Sequence, residues 1–289
     1  MNTETHIVPQ QNTPIRMQEY GVGIFNTLPT RSSIKKALKK NWIYVNDCPA
    51  TTATFITGGE TITFKKPNIP SNKKELIFPL RLAYEDDYIA VIHKPAGILV
   101  SGNSFKTISS ALAQNIHPSP AKDATKPQPA HRLDYPTTGL LLIGKTSSAI
   151  IALNRLFEED AIQKTYLAVA MGSMNNSGQI STEIDGKYAK SEFKVIHTIA
   201  SKRFEQLHLV KLSPKTGRTH QLRKHLASQG NPILGDQKYG KEQLILKGKG
   251  LFLHAYSLQF KHPFTHKELK ITSEIPKRFS KLFPEIDID

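Results

Sequence analysis

The feature that most constrains this chain is a charged tetrad that runs directly into an apolar segment. Residues 131–134 read His-Arg-Leu-Asp, and residues 139–143 read Gly-Leu-Leu-Leu-Ile. The four residues between them, Tyr-Pro-Thr-Thr, have the composition of a turn, and the apolar run is typical of a buried strand. The pattern predicts that the Asp134 carboxylate lies where a buried strand meets a loop, facing a cleft.

A second segment, residues 216–223, contains cations and no acid, reading Thr-Gly-Arg-Thr-His-Gln-Leu-Arg. We expect a helix to begin here with Thr219 as its cap. Leu222 and Leu226 are four residues apart and predict the buried face of that helix. Arg223 then lies beside the buried face, where its guanidinium can fork onto a carboxylate. The two segments together predict an aspartate paired with an arginine in a basic cleft, although a basic helix end that touches only solvent is the alternative.

The surroundings of Asp134 indicate what its carboxylate can do. Arg132 is close in sequence and favours the ionised form, which accepts hydrogen bonds or acts as a nucleophile. A general acid would need a desolvated carboxyl group instead. We find no second carboxylate in a comparable setting, which argues against a two-carboxylate glycosidase. A purely structural ion pair with Arg132 is the ordinary alternative.

Charge and composition limit the classes of partner. The 289 residues carry a net charge of +15, which favours a polyanion, either nucleic acid or an anionic membrane surface, over a merely basic protein. No apolar stretch approaches the ~20 residues of a membrane span, and residues 1–18 contain no apolar signal-peptide core. One cysteine excludes a cysteine-rich zinc site, and His220 and His225 have the wrong helical spacing for a shared metal. We expect a cytoplasmic protein without cofactor or metal.

A one-sign cluster of cations near the N-terminus indicates phosphate contact. Thr30 or Ser32 is expected to cap a helix whose apolar residues fall on one face. The other face carries only basic residues, namely Arg31, Lys35, Lys36, Lys39 and Lys40. A solvated helix face is the alternative, but such faces usually carry glutamates as well. We interpret the cluster as an RNA-binding surface.

Composition divides the chain into four parts. We expect a flexible tail at 1–18, a small α+β RNA-binding domain at 19–66, a linker at 67–78 and a larger domain at 79–289. Strand patterns occur at 42–45, 61–64, 89–92, 166–171, 190–197 and 204–212, and helical patterns at 147–161 and 219–229. The proline-rich residues 119–130 are expected to form a surface loop. Strands and helices mix without regular alternation, which predicts an α+β fold with a mixed, largely antiparallel central sheet.

Six segments, in order, closely resemble the motifs of RluA-type pseudouridine synthases. They lie at residues 86–97, 131–134, 164–166, 216–223, 230–236 and 253–255. The resemblance covers about residues 79–275. The N-terminal domain resembles the αL RNA-binding module that is shared with the fourth small-subunit ribosomal protein.

The resemblance implies a role for each matching residue. Asp134 would be the catalytic aspartate that is required to break the uridine N-glycosidic bond, by attack on the sugar or by removal of a sugar proton. Tyr166 would contact the base and assist proton transfer, although a half-buried sheet tyrosine is the ordinary alternative. Arg223 would bridge to the aspartate. The remaining candidate RNA-binding residues of this domain are His131, Arg132, Lys164, Arg218 and His220.

The chain departs from the family pattern beside the expected chemistry. Tyr135-Pro136 stands where a charged residue and a small or acidic one are usual, Thr138 replaces a common serine, and His93 replaces a common asparagine. We expect these changes to affect substrate choice rather than activity.

The resemblance therefore predicts an RNA pseudouridine synthase with the central sheet of that family and no cofactor, and the protein is expected to be cytoplasmic. The sequence does not determine the oligomeric state, and a monomer is favoured. Structured RNA is the expected partner, and uridines of large-subunit ribosomal RNA are the expected target, because the accessory domain accompanies many such enzymes. Transfer RNA is an alternative substrate for the same chemistry. A non-catalytic RNA-binding or ribosome-assembly factor is an alternative of another class. A DNA-binding protein is disfavoured, since no helix-turn-helix or zinc motif is recognisable.

Overall fold

The computed structural model describes residues 2–25, 27–28, 30–67, 76–246, 248–284, 286 and 288. The chain divides into two compact units, Met1–Lys74 and Glu75–Asp289, and each is described by itself. Most of the expected linker, residues 68–75, lies outside the described residues. Within the described residues, no helix is both long and apolar enough to span a membrane.

The N-terminal unit combines short strands with two helices. Its strands are β1 (Asn2–Ile7), β2 (Ile15–Arg16), β3 (Ile43–Val45), β4 (Cys48–Pro49), β5 (Phe55–Ile56) and β6 (Thr61–Lys66). Its helices are α1 (Met17–Tyr20) and α2 (Arg31–Lys39). One sheet has the order β1-β6-β3-β4, and β2 pairs with β5. The unit is therefore α+β.

The expectation of a flexible tail at residues 1–18 is wrong. Strand β1 pairs antiparallel with β6 from Asn2↔Lys66 to Ile7↔Thr61, and β2 pairs with β5. Val8 and Met17 are buried in the core of this unit. The segment is too polar to show a strand pattern, but the edge of β6 supplies hydrogen-bond partners that local sequence does not reveal.

Helix α2 follows the predicted pattern closely. The Thr30 side chain accepts a hydrogen bond from Ser33 N at 3.2 Å, and Ser33 Oγ accepts one from Thr30 N at 3.1 Å. Such a capping box contributes about 1 kcal/mol. Ile34, Ala37 and Leu38 are buried, so the other side of the helix faces solvent.

The C-terminal unit contains most of the strands. They are β7 (Arg81–Glu85), β8 (Ile89–Lys94), β9 (Ala124–Pro129), β10 (Thr138–Thr146), β11 (Gln163–Met171), β12 (Ser177–Ile184), β13 (Lys187–Ser201), β14 (Glu205–Pro214), β15 (Leu253–Lys261) and β16 (Glu268–Thr272). The helices are α3 (Ile108–Ala111), α4 (Ser147–Glu158), α5 (Gln221–Ser228) and α6 (Lys277–Ser280), with 3₁₀ turns at Leu112–Gln114 and Glu242–Leu244.

These strands form one large mixed sheet with the order β12-β13-β14-β11-β15-β10-β8-β7, to which β16 adds on β15 and β9 on β10. The pairs are antiparallel except β10 with β15, which is parallel through Thr138↔His254 and Gly139↔Ala255. Gly139 has a φ of +113°, and a Cβ there would overlap the carbonyl group of Ala255. Glycine is therefore required for β10 to approach β15. The α+β class with a largely antiparallel central sheet is confirmed.

The expected loop at 119–130 is wrong in part, because residues 124–129 form β9 against β10. Two prolines, Pro127 and Pro129, lie in this strand. Proline is tolerated on an edge strand, where the missing N–H would have faced outward. The long strand β10 provides the pairing partner, which composition alone does not show.

Both faces of the sheet are covered where β8 and β10 lie side by side. Leu140 and Leu142 pack with Ala149 and Leu153 of α4. The alternate residue Leu141 packs on the opposite face among residues of α3. Successive side chains of a strand point to opposite faces, so burial on both sides explains the continuous apolar run after the tetrad.

Candidate active site

A cleft of about 510 Å³ opens beside the charged tetrad. Its walls come from the loop before β10, the end of α4, the start of β11 and the start of α5. All the candidate residues of the larger domain line it, namely Asp134, Tyr166, Arg223, His131, Arg132, Lys164, Arg218 and His220. The structure thus brings together residues that are up to 92 positions apart (131 to 223).

The ammonium group of Lys94 anchors the loop that carries Asp134. The Lys94 ammonium group donates to the carbonyl oxygens of Tyr135 at 3.2 Å and Thr137 at 2.8 Å, and to that of Pro95 at 3.0 Å. Lys94 is only 1% exposed. Burial lowers the pKa of Lys94 to about 8, against the opposing attraction of Asp134. The backbone around Asp134 is therefore held in place while its carboxylate remains 26% exposed to the cleft.

Arg223 reaches Asp134, but not in the way the sequence predicted. Its Nη1 lies 3.3 Å from Asp134 Oδ2. The fork of the guanidinium is used on a different carboxylate, because Nε donates to Asp236 Oδ2 at 2.7 Å and Nη2 to Asp236 Oδ1 at 2.8 Å. The expected pair exists, and the expected fork onto Asp134 is corrected to a single contact.

Asp236 is the residue that sequence reasoning missed. Its side chain is fully buried, and Oδ1 also accepts the backbone N–H groups of Lys238 at 2.9 Å and Tyr239 at 3.1 Å. Burial would raise the pKa of Asp236, but the hydrogen bonds from Arg223 and the backbone outweigh it and lower the pKa. The expectation that no second carboxylate occupies a comparable setting is therefore wrong. The signal in the sequence was its place at the end of the segment 230–236, after the apolar residues 233–234 and a glycine.

His220 caps the start of helix α5, one residue after the expected cap. The cap is His220 rather than Thr219, with a left-handed φ of +56° and no capping hydrogen bond from its side chain. Its Nδ1 lies 2.9 Å from the hydroxyl oxygen of Tyr239, and its Nε2 lies 3.8 Å from Asp134 Oδ1. Burial and the neighbouring cations lower the pKa of His220, while Asp134 opposes the shift. The backbone turn thus brings an imidazole near one oxygen of Asp134, while Arg223 contacts the other.

Tyr166 lies at the start of β11, level with Leu212 on one neighbouring strand and Ala255 on the other. Burial raises the pKa of Tyr166, and the charge of Asp134 raises it further. The phenol therefore keeps its proton at neutral pH, so it can donate a hydrogen bond and offer an aromatic face to a bound base.

The other predicted residues of the cleft differ in the contacts that their side chains make with the protein. His131 Nε2 accepts the backbone N–H of Leu142 at 3.1 Å, and burial lowers the pKa of His131 to about 4, so this ring is a neutral part of the wall. Arg218 Nε donates to the carbonyl oxygen of Tyr188 at 3.0 Å. The Lys164 ammonium lies 5.7 Å from the ring centre of Phe157. Arg132 is exposed at the edge of the cleft.

The arrangement suits chemistry on an uncharged ring next to a polyanion. The Asp134 carboxylate and a protonated tyrosine line one pocket, and the cations Arg132, Lys164, Arg218 and Arg223 line it as well. A base that leaves its stack could enter such a pocket, at a cost of a few kcal/mol for unstacking, while the cations bind the phosphate backbone.

Comparison with known proteins agrees with this geometry. Residues 88–228 match the family described as RNA pseudouridylate synthase. The chain is 32% identical over 304 residues to ribosomal large subunit pseudouridine synthase C of Rickettsia bellii, covering 94% of this chain and 98% of that protein. It is 33% identical over 273 residues to ribosomal large subunit pseudouridine synthase D of Vibrio cholerae, covering 86% and 84%.

The fold has solved counterparts as well. The structure of human RNA pseudouridylate synthase domain containing 4 superposes with a TM-score of 0.56 at 24% identity, covering 69% of this chain and 90% of that chain. The family match includes both the tetrad and helix α5, which supply Asp134 and Arg223. The chain therefore belongs to the RNA pseudouridylate synthase family.

Proposed function

We propose that this pseudouridine synthase isomerises uridines of large-subunit ribosomal RNA. The relatives from Rickettsia bellii and Vibrio cholerae are named for that substrate and align along most of their length. The net charge of +15 fits a large polyanion. The single observation that carries the proposed chemistry is the Asp134 carboxylate, which contacts Arg223 at 3.3 Å and faces the cleft.

The proposed reaction moves one bond and balances within the nucleotide. The bond between N1 of uracil and C1′ of ribose breaks, the base rotates, and a bond between C5 and C1′ forms. The proton at C5 is lost to water and N1 gains one, so no atom is added and no cofactor or metal is consumed. Asp134 acts on the sugar to break the first bond, Arg223 bridges to its carboxylate, and Tyr166 contacts the base.

The proposed RNA contacts form two groups. In the C-terminal unit the cleft offers His131, Arg132, Lys164, Arg218 and His220, with Arg132 at the edge, where it can displace neighbours of the target nucleotide. In the N-terminal unit, helix α2 presents Lys35, Lys36, Lys39 and Lys40 to solvent. Arg31 is paired with Glu19 at 2.6 Å, so the four lysines supply the net charge of that surface. We infer that this unit acts as an αL-type RNA-binding domain.

A map of pseudouridine tests the proposal directly. Total RNA from cells with and without the protein is treated with a carbodiimide that marks pseudouridine, and stops of reverse transcription are compared. We expect a uridine of large-subunit ribosomal RNA to lose its modification without the protein. The wild-type gene should restore it, and Asp134→Ala should not. As a control for expression, Asp185→Asn, at a 70% exposed side chain, should restore the modification.

The same experiment decides between the alternatives. If only transfer RNA loses a pseudouridine without the protein, then transfer RNA is the substrate of the same reaction. If Asp134→Ala rescues a growth or assembly defect as well as the wild type does, then the protein acts there as a ribosome-assembly factor. A ribosomal RNA substrate also implies a cytoplasmic enzyme, and we expect it to act as a monomer.

A further inference from the structure

Asp236 makes better contacts with the active-site arginine than Asp134 does. The bonds from Nε and Nη2 of Arg223 to Asp236 measure 2.7 and 2.8 Å, whereas the contact from Nη1 to Asp134 measures 3.3 Å. Two parallel bonds to one carboxylate fix the plane of a guanidinium, and a single contact does not. The orientation of Arg223 is therefore determined by Asp236.

Asp236 is itself held from several sides. Its Oδ1 accepts the backbone N–H groups of Lys238 and Tyr239. The preceding residue, Gly235, has a φ of +77°, and a Cβ there would overlap the carbonyl group of Gly250. Leu234 N donates to the carbonyl oxygen of Val169 in β11 at 2.8 Å. The loop that carries Asp236 is thus packed against the strand that carries Tyr166.

An aromatic ring also restrains the flat face of the Arg223 guanidinium. The guanidinium carbon lies 5.1 Å from the ring centre of Tyr239, and the hydroxyl group of the same tyrosine contacts His220. Tyr239 follows Asp236 by three residues. One short turn therefore provides both the carboxylate that accepts two hydrogen bonds from Arg223 and the aromatic ring that packs against its guanidinium.

We propose that Asp236 is a positioning residue for the isomerisation. Its carboxylate accepts the two hydrogen bonds from Nε and Nη2 of Arg223, so that only Nη1 is presented to Asp134. The proposal rests on the roles proposed above for Asp134 and Arg223. Asp236 shares the cation between two carboxylates. Asp134 then has a cationic partner without being held in a bidentate pair, and it remains available to the ribose. Asp236 is buried behind Arg223 and does not need to touch the substrate.

The consequence is a change in the pH dependence of the reaction. The charged or titratable groups that face Asp134 are Arg223, His220, Lys94 and Tyr166. In Asp236→Asn the second carboxylate loses its charge, so Arg223 turns its fork to Asp134, the remaining acid. The second hydrogen bond from Arg223 favours the ionised form of Asp134, but it also makes the carboxylate less available to the ribose.

The test uses the full-length protein and large-subunit RNA from cells that lack it, labelled with tritium at C5 of uridine. Release of tritium to water reports formation of the C5–C1′ bond. We expect kcat of Asp236→Asn to fall about 10- to 100-fold, since misplacement of a positioned group by ~1 Å costs that much. KM should stay within about threefold, because uniform binding is unchanged. The acid limb of kcat against pH should move to lower pH by roughly half a unit or more.

A second variant separates charge from position. Asp236→Glu keeps the negative charge but displaces the fork by one methylene group, so we expect a reduced kcat with the acid limb in its wild-type place. This variant decides the matter if Asp236→Asn fails to fold. The matched control is Glu274→Gln, which removes an equally bidentate pair with Arg81, at 2.7 and 3.1 Å, from an exposed site. It should keep the wild-type kcat and pH profile.

Two results would overturn the proposal. One is an Asp236→Asn protein that melts at lower temperature but keeps the wild-type acid limb, or moves it to higher pH, which would make Asp236 a purely structural residue. The other is an Asp236→Glu protein with wild-type kcat. Wild-type protein that releases no tritium from this RNA would instead contradict the proposed substrate.

Discussion

Two carboxylates share one guanidinium in this cleft, and their burial decides how they share it. The Asp236 side chain is fully buried, while that of Asp134 is 26% exposed. A buried carboxylate needs its charge-assisted bonds, because an unpaired buried charge is very costly. Asp134 can be solvated by water instead. The weaker contact therefore falls on the carboxylate that we propose reacts.

Lys94 allows a test of the loop that carries Asp134. In Lys94→Met the carbonyl oxygens of Pro95, Tyr135 and Thr137 lose their ammonium donor. That of Tyr135 keeps the backbone N–H of Gly97, but that of buried Thr137 is left unsatisfied, which costs about 1–3 kcal/mol. We expect kcat to fall at least about tenfold, because the loop of Asp134 is no longer anchored. Tritium release and calorimetry on the same samples measure both effects.

Lys145→Met is the matched control for that experiment. Lys145 is also buried, and its ammonium group donates to Glu85 Oε1 at 2.8 Å, away from the cleft. We expect this variant to lose stability but to keep kcat per folded molecule. Equal losses of kcat in both variants would show that Lys94 acts only through general stability.

At the scale of elements, helix α2 presents its apolar residues to the core and its lysines to solvent. Lys35, Lys36, Lys39 and Lys40 are all exposed, and the Lys40 ammonium lies 4.5 Å from the ring centre of Trp42. Such a surface contributes affinity through release of counterions and takes no part in bond breaking. Its loss should therefore affect binding more than kcat.

Replacing these four lysines by alanine should weaken RNA binding and reduce its salt dependence. The slope of log Kd against log salt should fall by about 0.7–0.9 for each lysine that contacts a phosphate. Alanine preserves the helix, so loss of folding does not confuse the result. The matched control removes four exposed lysines of the other unit, Lys261, Lys267, Lys270 and Lys281. A slope that falls equally in both variants would mean that α2 is only part of a diffuse positive charge.

At the scale of the whole molecule, buried histidines make stability depend on pH. Burial lowers the pKa of His131 to about 4 and of His254 to about 3. The His254 ring connects strands through two hydrogen bonds. Its Nδ1 lies 2.7 Å from Thr138 Oγ1, and its Nε2 lies 2.9 Å from Ser273 Oγ. Both rings are neutral in the folded state, whereas both take up a proton near pH 6.5 when the chain unfolds.

We expect the C-terminal unit to lose stability as the pH falls from about 6.5 to 4.5. The folded pKa values lie below the unfolded ones, so this stability is present above pH ~6.5 and is lost on acidification, by roughly 1.4 kcal/mol per pH unit for each histidine. Calorimetry across this range should show a slope that is smaller by about one proton in His254→Gln. An identical slope would mean that His254 is not neutral in the fold. Fluorescence is unsuitable, because the single tryptophan, Trp42, lies in the N-terminal unit.

The sequence by itself determined the buried strand after the tetrad, the amphipathic helix α2 and the place of Asp134 beside a cleft. These features depend on local periodicity and short motifs, which a linear pattern records. Only the tertiary structure decided that residues 2–7 form a strand, that His220 adopts a left-handed backbone, and that Asp236 takes the fork of Arg223. Each depends on contacts between residues distant in sequence or on a backbone turn fixed by packing. The sequence thus singled out the Asp134 carboxylate, and the fold decided how strongly Arg223 binds it.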